Sequence, residues 1–223
     1  MNVRKTPLVN DQYYHIFNRS IAKYVVFNDA DDFERILELL DLCRNIEFNF
    51  KYSRFKELEI STQATIINKL RKENNILIEI VAFCIMPTHL HLLLKQVANK
   101  GISKYISKIL NSYTKYFNSK HRRNGPLWEG HFKNVLVKDD DQLLHLTRYI
   151  HLNPSSAGLV SNPFDWPQSS LKEYCGEATN GICQFNEIIN MSPGKYKKFV
   201  LDQKSYQRSL SIVKSITIDN YTG

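Results

Sequence analysis

The sequence predicts an α+β fold: a ferredoxin-like βαββαβ antiparallel sheet with helices on one face, followed by one more helix and a basic helical tail. Three observations carry this. Strand-like runs and helical periodicities alternate in that order along the chain. Two of the strands meet at a sharp turn, Met86-Pro87-Thr88, and so form a hairpin. The segment after them, Gly101 to about His121, sets Ile102, Tyr105, Ile106, Ile109, Leu110, Tyr113 and Phe117 on one side, the apolar stripe of a helix that covers a sheet.

In chain order, Gln12 to Asn18 is the first strand, marked by the aromatic and β-branched run Tyr13-Tyr14-His15-Ile16-Phe17. Asp29 to Asp32 offer acidic N-caps for a helix to about Ile46, with Phe33, Ile36, Leu37 and Leu40 at helical spacing. Residues 47–75 read as an insertion, helical from Thr62 to Lys72. The hairpin strands are Ile76 to Ile85 and His89 to Gln96, and Leu127 to Val137 is strand-like. Asp139 to Asp141 then cap a helix that runs to about Leu152 and is stopped by Asn153-Pro154. Phe164 to Ser170, with Trp166-Pro167, reads as a turn that docks on the core.

Bulk properties narrow the function classes. A chain of 223 residues, 43% hydrophobic and 23% charged, fits a core with an appendage, divided here as 1–167 and a C-terminal extension 168–223. No apolar run reaches about 18 residues, so no membrane partner is expected, and the first residues lack the apolar stretch of a secretory signal. Four cysteines without a CxxC pair point to buried thiols in a reducing cytoplasm. The net charge of +8 is concentrated: ten basic residues face only Glu129 between Lys95 and Lys138, and six face only Asp202 between Lys195 and Lys214. That clustering suits a polyanion-binding face, against the blander reading of a solvated basic surface.

Chemistry enters on the third strand. Alternation puts His89 and His91 on one face and Leu90, Leu92 and Leu94 on the other, so two imidazoles stand side by side, as a divalent metal would need. With helices on the leucine face, the histidine face is expected to be open. On the last helix, spacing by four groups His145, Tyr149 and Asn153, with Leu146 and Ile150 on the apolar side and His151 pointing elsewhere.

These motifs together resemble the Y1 transposases of the IS200/IS605 type, and most closely their single-copy relatives, the REP-associated tyrosine transposases. The matching stretches are Tyr14-His15-Ile16-Phe17-Asn18-Arg19, Met86-Pro87-Thr88-His89-Leu90-His91, Pro126-Leu127-Trp128-Glu129-Gly130-His131-Phe132-Lys133 and Tyr149-Ile150-His151-Leu152-Asn153-Pro154, within residues 12 to 167. The resemblance implies an HUH single-strand DNA endonuclease and strand transferase acting on hairpin DNA. It casts Tyr149 as the nucleophile that forms a 5′-phosphotyrosine, and His89, His91 and Asn153 as ligands of Mg²⁺ or Mn²⁺, with mixed N/O ligation favouring Mn²⁺. His145, on the face of Tyr149, competes with Asn153 for the third place.

DNA contacts are expected from Lys104, Lys108 and Lys115 on the amphipathic helix, Arg122 and Arg123 at its exit, and Lys133. Tyr113, Tyr116 and Trp128 are the aromatics nearest to them that a base could stack on. Two rivals stay open: a hairpin-binding protein without catalysis, and a zinc-type metallohydrolase that joins the histidine pair to His121 or His131. Monomer or homodimer, and use of Tyr149 in its own chain or across subunits, are undecided by the sequence.

Overall fold

The computed structural model describes residues 6–178, 181–186 and 188–202. Strand β1 (Tyr13–Arg19) is followed by α1 (Ala30–Cys43), α2 (Tyr52–Lys56) and α3 (Ile60–Glu73). The hairpin β2 (Ile78–Met86) and β3 (His89–Gln96) leads to α4 (Gly101–Lys120) and β4 (Lys133–Leu136). After these come α5 (Asp140–Ser156), α6 (Leu171–Tyr174) and α7 (Pro193–Leu201). Among the described residues the strands form one antiparallel sheet in the order β2-β3-β1-β4, as a ferredoxin-like connection requires. The histidine strand is therefore central.

Strand parity divides the molecule into two cores. Leu90, Leu92 and Leu94 of β3, Tyr14 and Ile16 of β1, and Ile80, Phe83 and Ile85 of β2 pack with Ile36 and Leu40 of α1 and with Ile102, Tyr105, Ile106 and Ile109 of α4. A bulge between Ile80 and Ala82 turns Val81 and Ala82 to the other face, where they join Cys84, Met86 and Leu93. That face is not open as expected. Leu143, Leu146, Tyr149 and Ile150 of α5 cover it, backed by Leu171, Tyr174, Tyr196 and Val200 of α6 and α7. The physical reason is its composition: beside the histidines it carries Val81, Cys84, Met86 and Leu93, all essentially without solvent contact, and such a surface must be buried.

Element ends differ from expectation where tertiary pairing intervenes. Helix α1 starts as predicted, the Asp29 carboxylate accepting the Asp32 N–H at 3.1 Å. It stops at Cys43 rather than Ile46 because the Arg44 carbonyl is taken by the Leu77 N–H at 2.7 Å and Asn45 bridges to Ile76. The fourth strand is shorter than expected, since Gly130, at φ 97°, turns the chain before it. Helix α5 passes through Pro154 to Ser156 instead of ending at Leu152. Proline in the last turn forgoes only its own missing N–H, while the Ala157 N–H still reaches the Asn153 carbonyl at 2.9 Å.

Residues 47–75 leave the core at Ile46 and return at Asn75, whose carbonyl accepts the Ile46 N–H at 2.9 Å. Between these points Tyr52 and Phe55 of α2, Leu70 of α3 and Phe48 from the loop before α2 are buried in the α1–α4 core. Residues 168–170 run along the outer edge of β2: the Ile85 N–H donates to the Gln168 carbonyl and the Ser170 N–H to the Phe83 carbonyl. Trp166 anchors that turn by donating Nε1–H to the Ile85 carbonyl at 3.0 Å, the docking role the sequence suggested. Of the basic tail, Lys204, Arg208 and Lys214 lie outside the described residues.

Two stability predictions arise here. A Cβ on Gly101 would stand 2.1 Å from the Leu77 carbonyl oxygen, which already accepts the N–H groups of Val97 and Ala98. Backbone must shift to admit it, so Gly101→Ala is expected to cost about 1–3 kcal/mol. Urea unfolding should show a lower midpoint at unchanged slope.

The second concerns His151, fully buried between the Tyr196 hydroxyl and Ser170 Oγ, each at 2.8 Å. Tyr196 donates its proton to Thr147, so His151 Nδ1–H donates to Tyr196 and Nε2 accepts from Ser170, a neutral ring. Burial pushes its pKa down to about 3. A folded pKa below the unfolded value of about 6.5 means that the unfolded chain binds the extra proton. The stabilising contribution is complete above pH 6.5 and falls by about 1.4 kcal/mol per pH unit from there towards pH 3. Relative to His151→Gln, the wild-type stability advantage should shrink with that slope in denaturant titrations between pH 7 and 5.

Candidate active site

The site forms where α5 crosses the histidine face. His91 has no solvent exposure and lies between Phe17 of β1 and Cys84 of β2 in the register of the sheet. His89 stands beside it with ring centroids 5.0 Å apart and rings nearly perpendicular. The Tyr149 ring meets His91 edge-on at 5.7 Å. The tyrosine is 6% exposed, so α5 presents it to the histidine pair from above. Asn153, one turn further on, donates Nδ2–H to the Tyr149 carbonyl at 3.0 Å.

Both histidines are held neutral. Burial, with the positive charge of Arg19 added, pushes His89 down to about 4. Burial also takes His91 well below the ordinary value, reinforced by His89, His15 and Arg19. Neutral imidazole is the metal-binding form. The buried Nε2 of His91 has no hydrogen-bond partner among the described residues, an arrangement that costs free energy unless something binds there. Two neutral imidazoles, one with an orphaned nitrogen, fit part of the donor set of a divalent cation. Among the described residues no group of three His, Cys, Asp or Glu side chains is placed to hold a metal.

Two neighbours escaped the sequence reading. His15 of β1 is fully buried and stacks on His91 at 5.3 Å, its Nε2 3.1 Å from His91 Nδ1. It also meets the edge of Tyr149 at 6.2 Å. If Nδ1 of His91 carries the proton and donates it to His15, Nε2 keeps its lone pair for a ligand, the usual support for a metal-binding histidine. Arg19 lies directly opposite His89 in the β1–β3 register and so shares its face. The available signal was parity: His15, Phe17 and Arg19 alternate as His89 and His91 do, but only the strand pairing shows that the two rows meet.

The competitors are placed elsewhere. His145 lies 3.6 Å from the Asp141 carboxylate and against Phe199 of α7. His121 stacks on Phe117 at 4.2 Å at the end of α4, and His131 is exposed in the loop before β4. The basic residues divide between the two sides of the sheet. Lys133, paired with Phe17, is on the histidine face and exposed. Lys104, Lys108 and Lys115 sit on α4 across the sheet, the first and last exposed and Lys108 donating to the Phe48 carbonyl. Arg122 is exposed, whereas Arg123 is committed to the loop through Asn118 Oδ1 and the Pro126 carbonyl. Tyr113 and Trp128 are core residues, bonded to the Val26 carbonyl and Thr114 Oγ1, and offer no face to a base. Tyr116 is half-buried and donates to Asp32.

The fold is thus a ferredoxin-like sheet with a histidine pair beneath a helical tyrosine. Residues 8–153 match the family model described as "Transposase IS200 like", and the chain belongs to that family. A Haemophilus influenzae protein assigned as a REP-associated tyrosine transposase is 33% identical over 104 residues, covering 42% of this chain. The match spans 58% of that relative's length. The solved structure of a REP-associated tyrosine transposase bound to a REP hairpin superposes with a TM-score of 0.55 at 13% identity, covering 86% of this chain and 96% of the other. A transposase structure from Deinococcus radiodurans gives a TM-score of 0.34 at 19% identity over 67% of this chain and 95% of the other.

Proposed function

We propose that this chain is a metal-dependent single-strand DNA nicking and joining enzyme that acts on hairpin DNA through a 5′-phosphotyrosine on Tyr149. The observation that carries the reading is the edge-on contact of Tyr149 with His91, whose buried Nε2 has no hydrogen-bond partner among the described residues. Family membership and the hairpin bound by the structural relative support the substrate class.

In this reading His89, His91 and Asn153 hold Mg²⁺ or Mn²⁺. When bound, such an ion neutralises and orients the oxygens of a phosphodiester. The protein's own residues do the rest. Arg19, beside His89, and Lys133, at the edge of the face, draw the strand to the site and offset its charge. Helix α5, clamped by α7, fixes the Tyr149 ring so that attack needs little reorganisation. The Tyr149 oxygen attacks phosphorus, the bond to the 3′ oxygen breaks, and that oxygen leaves as a free 3′-hydroxyl. The phosphodiester energy is kept in the tyrosyl ester, so another 3′-hydroxyl can reverse the step and join strands. The tyrosine and the histidines meet within one chain, which favours cleavage in cis. Four free cysteines are in keeping with a reducing, cytoplasmic setting.

The direct test is to incubate labelled single-stranded hairpin DNA from the gene's own flanks with the protein and Mn²⁺. An SDS-resistant protein–DNA complex is expected. Tight hairpin binding with no such complex at any salt would instead leave a binding protein without catalysis.

A further inference from the structure

Across the sheet from Tyr149, α1, α4 and the 48–53 segment enclose a cavity of about 690 Å³, large enough for a nucleotide. Its wall holds Arg35, Lys51, Lys108 and Lys115 together with Lys120, and no acidic side chain. Lys120 is neutralised by Asp29 and Asp32, at 2.7 Å each. None of the others is in a salt bridge among the described residues; Glu38, whose charge acts on Arg35, is paired with Lys56.

Arg35 is the anchor. Its guanidinium lies 3.9 Å from the centre of the Tyr52 ring and 4.8 Å from that of Tyr116. Its buried Nε lacks a hydrogen-bond partner among the described residues. A half-buried cation whose neighbouring carboxylate Glu38 is bonded to another lysine is only partly compensated, and such a place favours an anion. Beside it Phe50, 42% exposed and tilted against Phe48 and Phe55, offers an apolar ring to solvent.

We propose that this groove binds a nucleotide, its phosphate held by Arg35, Lys51 and Lys115 and its base stacked on Phe50, and that in the working enzyme this nucleotide belongs to an unpaired stretch of the DNA. Cations interleaved with an exposed aromatic are what single-strand binding uses, whereas an acidic peptide would leave the phenyl face unexplained. The second clause rests on the DNA-cleaving reading; the binding site itself does not. It gives the segment 47–56 a role and places a strand contact far from the chemistry.

The test measures affinity of the full chain for fluorescein-labelled dT10 and for free dAMP, beside adduct formation on the flanking hairpin. All substitutions are at exposed positions, so folding is spared. Phe50→Ala, and Lys51→Glu combined with Lys115→Glu, should each weaken dT10 roughly tenfold or more at 0.15 M salt, and the charge reversal should flatten the salt dependence. Unchanged dT10 and dAMP binding in these variants, with adduct formation intact, overturns the groove and leaves the nicking activity standing. Weakened dT10 binding in a protein that never forms an adduct upholds the groove and overturns the nicking reading. Loss of dAMP binding alone assigns the groove to a free nucleotide and overturns its place on the DNA strand.

Discussion

Tyr149→Phe is expected to abolish the covalent protein–DNA complex and to lower nicking by at least about 10⁴-fold, since in this reading the Tyr149 oxygen carries the phosphoryl ester. The substitution removes one oxygen from a ring that keeps its edge-on contacts to His15 and His91, so the α5 packing survives. Hairpin affinity should stay within about twofold of wild type, because phosphate contacts rather than the hydroxyl carry binding. Gel-shift titration and denaturing electrophoresis of the same samples separate the two quantities. Metal-dependent turnover that survives the substitution would point to the hydrolase alternative.

The second large effect is on the histidine pair. His91→Ala removes the ligand whose Nε2 is unpartnered among the described residues, and cleavage should fall by at least about 10³-fold. Chelation with EDTA should do the same to the wild type, with recovery on adding Mn²⁺ or Mg²⁺. His15→Phe keeps the stacking area but removes the 3.1 Å contact that fixes the His91 tautomer. Its expected effect is smaller, a 10- to 100-fold loss of metal affinity, read by Mn²⁺ titration in an EPR spectrometer without any DNA present. Equal Mn²⁺ affinity in wild type and His15→Phe would remove His15 from the support of the site.

Much of this arrangement is legible in the residues. The third strand and α4 stand where alternation and the apolar stripe put them, because each is long, regular and bounded by its own turn. The pairing of Tyr149 with Asn153 follows from helical spacing. What sequence could not give is which surfaces meet. His15 sits inside an aromatic run that reads as core, and only the offset of β1 against β3 brings it onto His91. The histidine face was expected to be open because nothing in the local pattern of α5 says that it lies across the sheet, and the α6 and α7 residues that back it come much later in the chain. The basic stripe on α4 was legible as a stripe, yet its placement across the sheet from Tyr149 depends on the two-sided packing.

The central claim is that Tyr149 becomes joined to the 5′ phosphate of the cut strand. One measurement addresses it: the same hairpin strand is labelled either at its 5′ end or at its 3′ end, cut with Mn²⁺, and resolved under denaturing conditions. A 5′-phosphotyrosine keeps the downstream fragment, so the 3′ label should migrate with the protein while the 5′ label is released on a fragment ending in a free 3′-hydroxyl. Transfer of the 5′ label to the protein, or release of both labels with none retained, would contradict it.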